Sequence, residues 1–291
     1  MPSQLIPSSF LKRLDNHELI SRLSSQLAGE RLSRRKGGGM EFVDHKAYSS
    51  GDDLRYLDWN VFARNDHLVI KQFETSENIA TYVLLDTSDS MNFGEPAKLH
   101  WGKRIAAAIG YLAMCRDDRF GIFAFAEELK TNLLALRGRG QVNQVFDFID
   151  GLEPGGTTNI ETSVQRFVAE SGTGGLLFII SDFWDADGLQ QCLPYLLYNN
   201  FKVHAIQILT PEEIEPEYNG EIDLTDAETD ERVLLTIRKG TLDQYHRELQ
   251  SSFRQLESLL SNPAYLYLRF TTNDSVEDTI LHRFRHEGLL A

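Results

Sequence analysis

The sequence predicts an α/β protein built on a doubly wound, mostly parallel sheet. Three observations carry this reading. From residue 80 onward, short apolar runs alternate with amphipathic stretches of helical spacing. Two of the runs, Tyr82–Leu85 and Leu176–Ile180, are almost unbroken, as in strands that helices cover on both faces. Both end in a polar residue followed by Asp or in Asp itself (Asp86; Ser181-Asp182), and in such sheets ligands bind outside the carboxyl ends of the strands.

The elements follow in order. Phe10, Leu11, Leu14, Leu19, Ile20, Leu23 and Leu27 recur at spacings that predict an amphipathic helix over 9–30. Gly29 and the basic Arg34-Arg35-Lys36-Gly37-Gly38-Gly39 end it. The stretch 41–77 is dense in Asp, Arg and aromatic residues, with a strand at 68–73. Arg55, Asp58 and Arg64 read as a polar packing network there. Strands are then expected at 80–85, 120–126, 131–136, 176–181, 203–209 and 264–271. Helices are expected at 97–116, 141–149, 159–171, 187–198, 242–260 and 276–286. Residues 221–237 alternate around Asp230-Glu231 and read as a hairpin insertion. The organisation is therefore an N-terminal helix/strand extension, 1–79, packing on a main domain, 80–291, with an acidic insertion at about 212–238. Strand-to-strand crossovers through helices are right-handed and give a parallel sheet.

Composition narrows the function classes. The 291 residues carry a net charge of -14. Residues 1–79 hold eleven basic and eleven acidic side chains, so the excess lies beyond them. Ten acidic residues and no basic one fall between Glu212 and Glu231. This balance argues against a phosphate-backbone partner, and hence against nucleic acid. The acidic run reads as a solvated loop and hairpin, with a docking surface for a basic partner as the alternative. Cys115 and Cys192 support neither a disulfide framework nor a zinc knuckle and are expected to be packing residues. No run approaches the ~20 apolar residues of a membrane helix, and residues 1–15 lack the apolar core of a secretory signal. The expectation is a cytoplasmic setting without membrane insertion.

Five oxygen-bearing side chains form the candidate site. Asp86-Thr87-Ser88-Asp89-Ser90 is a D-x-S-x-S run directly after the first strand of the main domain. Gly155-Gly156-Thr157 precedes the helix that feeds the fourth strand, and Asp182 ends that strand. Asp86, Ser88, Ser90, Thr157 and Asp182 can thus meet on one edge of one sheet. Two carboxylates and three hydroxyls make an all-oxygen shell suited to Mg²⁺ or Mn²⁺. With so few charges the cation stays electrophilic and favours an incoming carboxylate. The bland alternative has the hydroxyls capping helix N-termini.

The ordered set resembles the metal-ion-dependent adhesion site of von Willebrand factor type A domains. That resemblance implies a Rossmann-type sheet ordered 3-2-1-4-5-6 with one antiparallel edge strand. It also implies that the five residues are ligands or their supports. Glu41-Phe42, Tyr48, Gly51-Asp52, Arg55, Asp58-Trp59, Ala63-Arg64, Ser181-Asp182-Phe183 and Asp226-Ala227-Glu228-Thr229 are similar to motifs of the bacterial domain-of-unknown-function fifty-eight family. Lys46 departs from the Arg usual before the Tyr. This second resemblance implies an adaptor that works with a MoxR-type AAA+ ATPase in protein assembly, maturation or stress tolerance.

Rival chemistries lack residues they need. A P-loop around Lys103 would require glycine where Ala97 stands and Ser or Thr where Arg104 stands. A phosphatase of the D-x-D type would need a carboxylate at Ser88. No G-x-S-x-G elbow is present, and His282 and His286 lack the Glu of a zinc helix. The reading is a non-enzymatic, metal-dependent module that binds an Asp or Glu of a protein partner. A Mg²⁺-dependent hydrolase and a purely structural scaffold are its rivals.

Overall fold

The computed structural model describes residues 5–17, 19, 40–49, 54–65, 67–75, 80–172, 174–218, 220–229, 231–237 and 239–290. The glycine-rich run 34–39, most of 18–33, Gly51-Asp52 and Asp230 lie outside the described residues. The chain divides into two compact units, 22–78 and the remainder.

In the smaller unit, β1 (Met40–Ala47) pairs antiparallel with β2 (Val69–Thr75), with a register shift between Phe42 and Asp44. Between them α2 (Trp59–Asn65) starts where the buried Asp58 accepts the backbone N–H groups of Asn60 and Val61 at 2.9 and 3.2 Å. That is the geometry of an acidic helix cap. The other carboxylate oxygen of Asp58 meets His45 Nε2 at 3.0 Å. The sequence reading placed Asp58 in a polar network and missed both β1 and α2.

The larger unit is the predicted doubly wound domain. Its strands are β3 (Thr81–Asp86), β4 (Arg119–Phe125), β5 (Leu129–Arg137), β6 (Gly175–Ser181), β7 (Phe201–Leu209) and β10 (Tyr265–Thr271). They form one sheet in the order β10-β7-β6-β3-β4-β5, in which only β4 and β5 run antiparallel. Counted along the chain this is 3-2-1-4-5-6 with an antiparallel edge, as the resemblance implied. Helix α3 (Lys98–Cys115) covers one face, with α4 (Val142–Asp150) beside it. A side chain at Gly102 would meet Leu85, Ile180 and Ile208 at 3.1–3.4 Å, so α3 lies close on the sheet over the strands that carry the site. The opposite face packs α5 (Ile160–Ser171), α6 (Ala186–Tyr198) and α8 (Lys239–Leu259) through Leu84, Phe123, Ile179, Phe167, Leu189 and Leu256. Leu84 and Leu85 point to opposite faces, the period-two consequence of a strand buried on both sides.

The first helix is shorter than its apolar spacing predicts. It runs as α1 (Ser8–Leu14) and closes in a turn, with the N–H groups of Asn16 and His17 bonded to the carbonyls of Arg13 and Leu14. Leu19 then makes an isolated bridge with Leu290. Leu14 and Leu19 are both buried. The periodicity therefore reports a shared core, not one continuous helix. This segment belongs to the larger unit: Tyr111 donates to Asp15 at 2.6 Å and Arg116 to the Leu19 carbonyl at 2.9 Å.

After β7 comes a single turn, α7 (Pro211–Ile214), and then the antiparallel hairpin β8 (Gly220–Thr225) and β9 (Arg232–Ile237). α9 (Val276–Asp278) continues through a π turn (Thr279–Arg283) into α10 (Phe284–His286). His282 and His286 are exposed there, each beside an acidic neighbour. Among the described residues, no helix is long and apolar enough to cross a membrane.

Candidate metal centre

Register brings the two aspartates together. Leu85 of β3 lies beside Ile180 of β6, so Asp86 falls level with Ser181. Ser181 Oγ donates to Asp86 Oδ2 at 2.6 Å, and the Ser88 N–H donates to Asp86 Oδ1 at 2.9 Å. Asp86 is wholly buried. Burial first, and the neighbouring Asp182 charge second, push its pKa up to about 7, against the pull of these hydrogen bonds. Ser88 leads into a 3₁₀ turn (Asp89–Asn92), and its hydroxyl lies 3.0 Å from that of Ser90. Asp182 is aimed by the backbone behind it. Its carbonyl accepts Gln207 Nε2 at 2.7 Å, and the next residue, Phe183, sits at φ 54°. A left-handed posture costs a bulky residue about 1–2 kcal/mol. Full burial of the ring and a 3.1 Å bond from the Phe183 N–H to Ser181 Oγ hold it there.

The third loop is sewn to the first. Asp89 Oδ2 accepts the Gly156 N–H at 2.7 Å, and the Asp89 N–H donates to the Gly156 carbonyl at 2.9 Å. The Gly155 N–H reaches the Thr87 carbonyl at 2.8 Å, and Lys130 donates to the carbonyls of Thr87 and Gly155. Gly156 has φ 85°, a conformation that glycine adopts without penalty. Asp89, one of the two D-x-S-x-S positions not counted as ligands, therefore acts as the clasp between this loop and the Gly155-Gly156 turn that leads into Thr157. Thr157 is half-buried.

Two further residues were missed by the sequence reading. Lys98, the first residue of α3, is almost completely buried, and its ammonium donates to Asp182 Oδ2 at 2.7 Å and Glu213 Oε1 at 2.6 Å. Burial works against the charged amine, but the Asp182 and Glu213 carboxylates outweigh it and raise its pKa. Glu213 is fixed by a capping box: Thr210 Oγ1 accepts the Glu213 N–H, and Glu213 Oε2 accepts the Thr210 N–H at 2.7 Å. Thr210-Pro211-x-Glu213 is a readable capping signature. Nothing in the sequence, however, links it to a lysine 115 positions earlier.

The hairpin tip closes the far side. Glu228 accepts the Thr158 N–H at 3.0 Å and the Thr158 hydroxyl at 2.8 Å. Ser90, Lys98, Asp182, Glu213, Asp226 and Glu228 thus border one cleft of ≈ 460 Å³, with Phe93 and Trp184 on its rim. The 226–229 motif and the D-x-S-x-S run, far apart in sequence, face the same space.

Residues 44–254 match the family model described as a protein of unknown function, DUF58. The chain belongs to the DUF58 family. An uncharacterized protein of Mycobacterium tuberculosis is 27% identical over 213 residues, which span 72% of this chain and 67% of that one. Among solved structures, the chain is similar to the conserved hypothetical protein BatB of Bacteroides thetaiotaomicron. The identity there is 14% and the TM-score 0.45, over 72% of this chain and 98% of that one. It is also similar to proximal thread matrix protein 1 of the mussel byssus, whose MIDAS motif holds zinc, at 13% identity and a TM-score of 0.41 over 72% and 46% of the two chains.

The donor set of this DUF58 chain fits a hard divalent cation. Asp86, Asp182 and Glu213 set three carboxyl groups against the one Lys98 ammonium, so the acidic groups outnumber the basic one. Burial first, and the Asp182 charge second, disfavour the ionised form of Asp86, a cost that a bound cation would relieve. Among the described residues no cluster of three or more His, Cys, Asp or Glu could hold a metal. The other oxygen donors of the sequence-predicted set, beside the two aspartates, are the Ser88, Ser90 and Thr157 hydroxyls. The residues lining the cleft include neither His nor Cys.

Proposed function

We propose that this protein is a non-enzymatic, metal-dependent protein-interaction module. Mg²⁺ or Mn²⁺ would be held by Asp86, Ser88, Ser90, Thr157 and Asp182 and would supply an open coordination position for an Asp or Glu of a partner. The observation that carries the reading is the wholly buried Asp86, destabilised as a carboxylate next to Asp182 and flanked by hydroxyls. Such a pair gains most from a cation, and its surroundings offer no imidazole or thiol as base or nucleophile. Asp89 holds the loops in register, and Lys98 fixes Asp182 while keeping the site from excess negative charge. Family resemblance adds an AAA+ ATPase of the MoxR type as the partner that performs ATP-driven work, with this chain as its adaptor.

The test is a titration of Mg²⁺ and Mn²⁺ into the wild type and Asp86→Ala while thermal stability is followed. The wild type should be stabilised in a saturable way, by RT ln(1 + [L]/Kd), or about 2.7 kcal/mol at a hundredfold excess over Kd. Asp86→Ala should lose that response. Equal responses in both proteins would remove the metal site. Turnover of a generic phosphate ester that disappears in Asp86→Ala would favour the hydrolase reading instead.

A further inference from the structure

The β8–β9 hairpin has two unlike faces. Residues directly opposite one another in an antiparallel ladder share a face. Ile222 lies opposite Leu235, and Leu224 opposite Val233, so together with Ile237 one face is wholly apolar. The other face carries the pairs Glu221 with Thr236, Asp223 with Leu234 and Thr225 with Arg232. The apolar face is open: Leu224 is 42% exposed, Val233 50% and Leu235 37%. Among the described residues, the two strands pack on each other and make no substantial contact with another strand or helix. A lone two-stranded ribbon is marginal in water, and a contiguous exposed apolar face marks a surface that something covers.

Charge selects the occupant. The β8 half of the apolar face lies within the Glu212–Glu231 run, and residues 212–237 as a whole carry ten acidic residues against one basic one, Arg232. A second copy would bring the same carboxylates against these, and an anionic bilayer would be repelled in the same way. A cationic protein segment is attracted. Strands of six residues give a face ~20 Å long, and two strands are about as wide as one helix. That footprint suits a helix of ~13 residues lying along the ribbon.

We infer that the apolar face of the β8–β9 hairpin docks an amphipathic helix of a partner protein, with Lys and Arg flanking the helix's apolar stripe. The inference does not depend on metal binding. Two labelled synthetic helical peptides of ~18 residues, one of Lys and Leu and one of Glu and Leu, serve as probes in fluorescence anisotropy with the full chain. The Lys/Leu peptide should bind the wild type and weaken as salt rises from ~50 to ~300 mM. The double variant Leu224→Thr/Val233→Thr keeps β-propensity and should bind at least ~10-fold more weakly. Leu234→Thr, on the opposite face, should bind as the wild type does. Methyl resonances of Ile222, Leu224, Val233 and Leu235 should shift in the wild type, which guards against a misfolded double variant. Absence of binding overturns the inference, as does equal binding of the Glu/Leu peptide or an equal loss in Leu234→Thr. It is also overturned if sedimentation shows a dimer that the double variant abolishes, since a second copy then covers the face. Anionic phosphatidylserine vesicles that bind the wild type but not the double variant would assign the face to a membrane and overturn it too.

Discussion

The sheet-edge site and the β8–β9 hairpin lie side by side and are built in opposite ways. At the sheet edge nearly every polar atom is committed. Asp86 is held by Ser181 and Ser88, Asp182 by Lys98, and the glycine loop by Asp89. Asp86, Asp182 and Lys98 are buried, so their contacts act at low dielectric, and the loss of one partner strands another. The hairpin has its own ladder and the Glu228–Thr158 contact, with its apolar face open to solvent. Rigidity is invested where a small cation would have to be gripped. Freedom is left where a larger, softer surface is to be covered.

Three measurements would break or sharpen this contrast. The largest effect is expected from Lys98→Met, which leaves Asp182 and Glu213 buried without their cation. A loss of about 3–5 kcal/mol by chemical denaturation is expected. A loss under ~1 kcal/mol would mean that water or a bound ion already screens the site. Next comes acid. His204 of β7 is buried against Phe178, neither ring nitrogen has a hydrogen-bond partner, and burial lowers its pKa to about 3. Its folded pKa lies below the ordinary value of 6.5. The unfolded chain therefore binds the extra proton, and stability falls as pH drops from ~6.5 toward ~3. At pH ~4 the contribution is about 3 kcal/mol. His204→Leu should flatten the decline of Tm over that window. An unchanged slope would assign acid sensitivity to the carboxylates. The smallest effect belongs to Glu228→Ala, which removes the tie between hairpin and glycine loop. Global stability should change by less than ~1 kcal/mol, because the contact is half-exposed. Amide exchange in β8 and β9 should nevertheless quicken while that of β3 and β6 does not. Uniform quickening would show the two regions to be one cooperative unit.

What the sequence reveals tracks the same division. Strands buried on both faces announce themselves and, alternating with helices, imply a parallel sheet; the observed strand order is the one the family resemblance implied. D-x-S-x-S, the double glycine and Asp182 were readable because each follows or precedes a recognisable element. Lys98 was not, because a lysine opening a helix looks like surface. Glu213 was hidden in an acidic run that otherwise reads as solvated, although its capping box was written in plain residues. The overlong first helix shows the reverse failure. Leu14 and Leu19 are five residues apart, one more than helical spacing allows, and the chain turns between them while both reach the core. Distant pairings leave no local mark. They are decided by tertiary contacts that a linear pattern does not encode.

Phe183 brings two demands into conflict at one position. Its backbone, at φ 54°, asks for glycine, while its ring, 1% exposed in the core, asks for an aromatic. A stability-seeking redesign would be tempted to resolve the conflict in favour of either one. Glycine would ease the backbone and leave a hole, and moving the ring's turn elsewhere would swing the preceding carboxylate out of line. The unresolved compromise acts as a lever: the packing of one ring, anchored in the core, is converted into the direction in which Asp182 points.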